Sequence, residues 1–269
     1  PYEECQEHWP DGTPHPEGKK RRNSCKSVLL GIMYGRGSKS IAEQMGVTTK
    51  EADSIIEEFF KGFPQVAQYI IASQEHALEY GFVETATGRR RRLPDMQLDE
   101  YEIKSTGDGK SEAFDPFDFD GETGDLDYVP DEVIEKYYNL MNRAWGFAKK
   151  NEVKAQALAE GYEIHDNGGK IADAERQCLN SIIQGTAACM SKYAMVKVHA
   201  DEYLKELGFR LLIPVHDELI GEAPEENAAA AGLRLAEIMI ESASEIIDVP
   251  MSCDAVLMDR WGGEETEIH

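Results

Sequence analysis

The chain has 269 residues, 41% of them hydrophobic, enough to bury a sizeable core and form one large or two medium domains. Its net charge of −23 excludes a uniformly basic, phosphate-coating surface, and no run of eighteen apolar residues offers a membrane span. Five scattered cysteines without a Cys-x-x-Cys pair exclude a zinc or disulfide framework and predict a reduced, cytoplasmic setting, with no signal peptide at the start.

Residues 1–95 read as mostly helical. A Pro/Gly-rich lead (Pro10, Gly12, Pro14, Pro16, Gly18) precedes a helix over 21–35, which Gly35-Arg-Gly37 ends. A short helix follows over 40–45. Thr48-Thr49-Lys50-Glu51 has the pattern of a capping box for the next helix, which runs toward Phe60 and stops before Pro64. Another helix covers 65–80, and 81–85 reads as a strand closed by Gly88. Residues 105–131 read as an acidic loop in which Phe114, Phe117 and Phe119 are interleaved with aspartates. The pattern turns helical over 131–161, with Val133, Tyr137, Leu140, Trp145 and Phe147 available for packing, and a hairpin around Asn167-Gly168 is expected over 161–170. Residues 174–208 predict one long helix, bent near Gly185. Strands over 209–215 and 218–222 pair as a hairpin, Pro224-Glu-Glu-Asn227 caps a helix to about Ile247, and 249–258 reads as a last strand. The fold class expected is α+β, with helices on one side of an antiparallel sheet.

Two constellations carry chemistry. On the first helix Arg22, Lys26, Leu30 and Tyr34 stand four apart and share one face. Two cations, an aliphatic group and a ring match the needs of a nucleoside triphosphate, whereas an ordinary amphipathic helix places its cations opposite its apolar stripe. The second is His216-Asp217-Glu218 at the predicted hairpin tip. Adjacent carboxylates there suit a hard cation such as Mg²⁺ completed by water and phosphate; a plain polar turn is the other reading. The charge is also uneven. Between Asp99 and Glu135 there are fourteen acidic residues and two basic ones, while Lys19-Lys-Arg-Arg22 and Arg89-Arg-Arg-Arg92 are basic clusters. A basic groove on an acidic body is workable because salt screens charge beyond roughly 8–10 Å. Arg89–Arg92 reads either as a solvated turn or as a contact with DNA or the core.

Together these segments resemble family A DNA polymerases. Arg22-x3-Lys26-x3-Leu30-Gly31-x2-Tyr34-Gly35 is similar to that family's motif B, and Val215-His216-Asp217-Glu218 to its motif C. Arg176, Asn180 and Gln184-Gly-Thr-Ala-Ala188 resemble the palm helix that meets primer–template in the minor groove. Glu57-Glu-Phe-Phe-x-x-Phe63-Pro64, Gly81-Phe-Val-Glu-Thr85-x-x-Gly88-Arg89-Arg-Arg91 and the terminal Trp261 also match, in order. The resemblance implies helical fingers at 1–95, a family-atypical acidic insertion at 96–174 and part of a palm at 175–269.

It also implies nucleotidyl transfer from a deoxynucleotide (dNTP) to a primer 3′-hydroxyl, with two Mg²⁺ ions. Asp217 and Lys26 are the implied catalytic residues, with Lys26 donating a proton to pyrophosphate. Arg22, Lys26, Leu30 and Tyr34 would hold the dNTP, and Arg176, Asn180, Gln184 and His216 the DNA. Asp217 and Glu218 would be metal ligands. Expected partners are primer–template DNA, dNTP and an N-terminal polymerase portion; no membrane is expected. Motif A, an Asp-Tyr-Ser-x-x-Glu strand, has no match in the sequence, and the chain opens on Pro1, so it reads as a C-terminal piece, phage-type and inactive alone.

Two positions depart from the family pattern. Leu30 replaces Phe or Tyr and offers no ring beside the sugar. Pro214 replaces Gln, which removes one minor-groove contact and predicts an edge or bulged strand. The alternatives are a fragment of a phage-type single-subunit RNA polymerase, disfavoured by Glu218 where that group has Ser, and a non-catalytic DNA-binding remnant.

Overall fold

The computed structural model describes residues 6, 8, 9, 13, 15–106 and 129–268. The chain divides into two compact units, Pro1–Leu93 with Arg176–His269, and Pro94–Glu175. In chain order the elements are α1 (Gly18–Met33), α2 (Ser38–Met45), α3 (Thr49–Gly62), α4 (Pro64–Tyr80), β1 (Phe82–Glu84), β2 (Arg90–Arg92) and β3 (Tyr101–Ser105). Then come α5 (Asp131–Arg143), α6 (Phe147–Ala159), β4 (Tyr162–Asp166), α7 (Gly168–Ala200) and α8 (Glu202–Glu206). The last elements are β5 (Arg210–Val215), β6 (Glu218–Glu222), α9 (Ala228–Ser244), β7 (Ala255–Leu257) and β8 (Thr266–Ile268). The architecture is α+β. The described strands pair as four separate two-stranded antiparallel sheets, β1–β2, β3–β4, β5–β6 and β7–β8, where one larger sheet was expected.

In the first unit, α1 to α3 close over Ile32, Ile41, Ala42 and Ala52, with Val28, Ile55, Phe59 and Phe60 packed around them. The capping box at α3 is formed: the Thr48 hydroxyl accepts the Glu51 N–H (3.3 Å) and the Glu51 carboxylate accepts the Thr48 N–H (2.8 Å). Gly46 and Gly81, both in the left-handed region, end α2 and α4. A second core joins α7, α8 and α9 through Val198, Leu204, Ala231 and Ile238, and Phe209 and Leu211 at the base of β5 pack against it.

The Pro94–Glu175 unit is built on Tyr101, Ile103, Val129, Tyr137, Met141, Ala157 and Ile164. Strand β3 pairs with β4 from Tyr101↔Asp166 to Ser105↔Tyr162. Buried Asn167 holds the edge, donating from Nδ2 to the Asp99 carbonyl (3.0 Å) and from its backbone N–H to the Glu100 carbonyl (2.9 Å).

Several expectations need correction. No hairpin forms around Asn167-Gly168. The strand before it pairs with β3, distant in sequence, and Asn167-Gly168 opens α7 instead. The long helix breaks at Asp201, whose carboxylate accepts the Leu204 N–H (2.8 Å) and so caps α8. The strand expected over 249–258 is only three residues long, β7, and it is not the last: it pairs with β8. The Asn227 side chain does not cap α9; it donates to the Leu207 carbonyl (3.0 Å). Trp145 and Phe147 pack into no core and are 95% and 82% exposed. Phe114, Phe117 and Phe119 lie outside the described residues, as does most of the expected acidic loop. Among the described residues no helix is long and apolar enough to cross a membrane.

Candidate functional site

Helix α1 buries only Gly18, Gly31 and Ile32. Arg22, Lys26 and Leu30 are exposed, and Tyr34 is half-buried. Tyr34 is the residue on which the helix ends. Gly35 follows at φ +71°, the Arg36 N–H bonds the Gly31 carbonyl (2.8 Å), and the Gly35 N–H bonds that of Ile32 (3.1 Å). This pair of bonds satisfies carbonyls that the helix end would leave open, and the left-handed turn needs glycine. The Tyr-Gly sequence therefore sets where Tyr34 sits as well as supplying its ring.

That end of α1 meets α7. Gln184 Nε2 donates to the Tyr34 hydroxyl (3.3 Å), and a Cβ on Gly35 would lie 3.1 Å from Arg176 Cγ. Arg176, Asn180 and Gln184 are all exposed on α7. One turn apart, they follow one another along a single face. Gly185 and Thr186 behave differently. A Cβ on Gly185 would fall 2.6 Å from Thr85 Cγ2. The buried Thr186 hydroxyl accepts the Ala86 N–H (3.0 Å) and donates to the Ile182 carbonyl (2.7 Å). These two residues seat the β1–β2 loop on α7. The sequence reading makes both part of a DNA-contacting motif and Gly185 a bend in the helix, with no packing role for either. A glycine inside a predicted helix was the signal for close approach.

The seated loop carries Arg89–Arg92. It is not a simple turn, because Arg90–Arg92 form β2, with all three residues exposed. Arg90 lies over the Phe82 ring (4.4 Å) and pairs with Glu84 (2.7 Å). Arg89, Arg91 and Arg92 keep their side chains in solvent.

The β5–β6 hairpin forms with Val215 opposite Glu218, so His216 and Asp217 make a two-residue loop. Its base is held by Phe209, whose ring lies where a Cβ on Gly221 would be, 2.2 Å from Cζ. The register shifts between Leu211 and Ile213, and Pro214 sits regularly opposite Leu219. His216 has φ +54°, the only positive value at a non-glycine residue among those described. A side chain rarely adopts this region, so the tip is held in a strained turn. His216, Asp217 and Glu218 are exposed.

Among the described residues no group of three or more His, Cys, Asp or Glu side chains could hold a metal ion. The donors at the tip, two adjacent carboxylates, are right in kind for Mg²⁺. The number is one that a magnesium site shared with substrate phosphate uses. The structure thus joins Gln184 to Tyr34 directly and brings Arg176 against Gly35. Arg22, Lys26 and Leu30 share the helix that Tyr34 ends, and His216, Asp217 and Glu218 share a second element. An open groove of about 590 Å³ also runs along α1, lined by Pro16, Lys19, Lys20, Asn23, Ser24, Ser27 and Gln44, beside the predicted face rather than on it.

Comparison with known proteins shows the family. Residues 5–113 and 133–263 match the profile of DNA polymerase family A, which leaves out 114–132 within the matched span. The chain is 28% identical over 242 residues to the thermostable DNA polymerase I of Thermus filiformis, covering 90% of this chain and 20% of that protein. It is 26% identical to DNA polymerase I of Chloroflexus aurantiacus, over 90% of this chain and 18% of that one. The figures for the Pseudomonas aeruginosa enzyme are 28%, 90% and 19%. The chain therefore spans about a fifth of the length of these relatives. In fold it is similar to the POL domain of Pol1 from M. smegmatis, solved in complex with DNA primer-template and dNTP, with a TM-score of 0.55, 23% identity, and coverage of 86% of this chain and 29% of that one. A profile match across most of the chain, with α1, α7 and the β5–β6 hairpin inside it, is a membership: this chain belongs to DNA polymerase family A.

Proposed function

We propose that this chain contributes the fingers and the C-terminal palm to a template-directed DNA polymerase. Residues 1–95 would be fingers, 175–269 palm, and 96–174 an insertion between them. The observation that carries the reading is the Gln184–Tyr34 hydrogen bond. It ties the end of the helix that would hold dNTP to the helix face that would follow the primer–template. A nucleotide on α1 and a duplex on α7 would then be neighbours by construction, as chain extension needs.

In this reading Arg22 and Lys26 hold the triphosphate, and Leu30 and Tyr34 flank sugar and base. Arg176, Asn180 and Gln184 contact the minor groove, where acceptors are shared among base pairs, so they monitor pairing without reading sequence. His216 meets the primer terminus. The primer 3′-hydroxyl gives up its proton to solvent, its oxygen attacks the α-phosphorus, the bond to the bridging oxygen breaks, and pyrophosphate departs. Lys26 donates a proton to that leaving group. Asp217, with Glu218 beside it, would hold Mg²⁺, which when bound neutralises charge on the phosphates. The second carboxylate strand of the family, motif A, would come from a further polypeptide segment. The setting would be cytoplasmic, in a bacterial host if the protein is phage-encoded.

Primer extension tests this. The chain alone is expected to add no nucleotide, and the chain mixed with a motif A-bearing polymerase portion is expected to incorporate dNTP. Asp217→Ala should abolish that incorporation. Preferred use of ribonucleotides, or an intact complex that binds primer–template and extends nothing, would sink the proposal.

A further inference from the structure

The Pro94–Glu175 unit ends its α5–α6 connection in two aromatic side chains that touch no core. Trp145 is 95% exposed and Phe147 82%. Among the described residues neither makes a ring contact. Gly146 between them has φ +82°, a conformation that lets the chain turn sharply from one helix to the next. The helices beneath are packed: Met141, one turn before Trp145, and Ala157 on α6 are both fully buried. Single exposed apolar residues are ordinary, but two large rings at one helix junction are not. On α6, Asn151, Lys154 and Leu158 follow Phe147 at helical spacing, and Leu158 is 61% exposed.

The charge around these rings identifies the occupant. Residues 94–175 contain twenty-one acidic and eight basic side chains, and four of the eight (Arg143, Lys149, Lys150 and Lys154) fall within twelve residues of one another. Only Glu152 opposes them there, pairing with Lys149 (2.8 Å) where both side chains are 65% exposed. An exposed pair of this kind contributes little and yields readily to another anion. Lys150 is engaged by the Tyr101 hydroxyl (2.8 Å) and by Asp166 (3.6 Å), which leaves Arg143 and Lys154, with Lys149 once its pair yields, as the cations for a ligand. A docking patch for a protein would be depleted of charge at its centre. Rings interleaved with cations are instead the composition of a surface for unpaired nucleic acid, where bases stack on aromatic faces and phosphates meet the cations. The acidic remainder of the chain does not forbid this, since screening limits its reach to about 8 Å at physiological salt.

We propose that Trp145 and Phe147, flanked by Arg143 and Lys154, form a stacking platform for single-stranded DNA. The platform belongs to the second unit and shares no residue with the α1–α7 site. It extends the reading of the chain as a DNA-binding protein and rests on that reading for its ligand.

Trp145 is its own reporter, because the chain has only three tryptophans. In the Trp9→Phe, Trp261→Phe double variant, titration with a dT oligonucleotide should quench fluorescence to saturation. The quenching should weaken as salt rises. In the otherwise native chain, Trp145→Ala and Phe147→Ala should each lower affinity for a labelled dT oligonucleotide about 5- to 150-fold, the range for losing one stacked base. Both residues are solvent-exposed, so near-ultraviolet circular dichroism should show the fold retained. Arg143→Gln and Lys154→Gln should each reduce the slope of log affinity against log salt by about 0.7. Duplex primer–template binding, followed by anisotropy, separates the possible failures. Duplex binding with no quenching by dT overturns the platform and leaves the polymerase reading standing. Binding of neither overturns both. Quenching that tracks protein concentration rather than oligonucleotide means the rings cover one another between copies of the chain, and also overturns the platform.

Discussion

The α1 face and the core of the Pro94–Glu175 unit are opposite solutions to the same problem of placing side chains. Arg22, Lys26 and Leu30 stand in solvent on a helix that buries three residues. Tyr137 and Met141 are fully buried in a cluster that draws on two strands and two helices. The first region can lose a side chain without losing packing, and the second cannot. Substitutions on α1 should therefore separate activity from stability, and substitutions in the second core should do the reverse.

The largest expected effect is on activity. Lys26→Ala, read in the complemented primer-extension assay, should lower the rate by about 10²–10⁴-fold, the range of a general acid. The thermal midpoint of the chain should stay where it was. A fall in midpoint with unchanged extension would reverse the assignment of the two regions. Next comes Tyr137→Ala. Removal of a buried ring costs about 3–5 kcal/mol, which in a unit of this size is much of its stability. Amide exchange on α5 and α6 should accelerate while α1 to α3 keep their protection. Uniform acceleration over both units would mean that they unfold as one.

How much of each region could be read in advance follows from the same contrast. The α1 face depends on spacing within thirteen residues, and so do the Thr48–Glu51 capping box and the His216-Asp217 loop; local patterns sufficed for all three. The second core depends on β3 pairing with β4 about sixty residues further on. Ser105 and Tyr162 meet only in the fold, so 101–104 carry no local strand signal and Ser105 reads as the start of an acidic loop. Asn167-Gly168 looked like a turn because the dipeptide favours one, yet the Asn167 side chain spends its donors and acceptor on Asp99 and Lys170. Trp145 and Phe147 were assigned to packing by residue type, and nothing local marks them as exposed.

Gly185 tests the junction that ties the β1–β2 loop to α7. An alanine there would press its methyl to 2.6 Å from Thr85 Cγ2. The strain should cost about 1–3 kcal/mol, the range for overpacking, even though alanine is the better helix former. Urea unfolding of Gly185→Ala measures it. The double variant with Thr85→Ser, which removes the opposing methyl, should recover most of the loss. Equal stability of wild type and Gly185→Ala would show that the loop is not seated on the helix.

The smallest effect belongs to the surface of the second unit and depends on pH. Lys136 lies 2.6 Å from the Glu160 carboxylate and holds its pKa down to about 2, with Tyr137 and Gln156 adding hydrogen bonds, against an ordinary value of 4.5. A carboxyl depressed in the folded state binds protons more readily when unfolded. Its contribution is therefore complete above about pH 4.5 and is lost as the pH falls through 2. The pair is exposed to solvent, so the contribution is small and salt should reduce it further. Glu160→Gln keeps the shape and removes the charge. Amide exchange on α5 and α6 should be faster in the variant than in wild type at pH 5, and the difference should close as both approach pH 2. A difference that persists unchanged to pH 2 would mean that packing of the side chain, not its charge, joins Glu160 to the buried Tyr137 beside it.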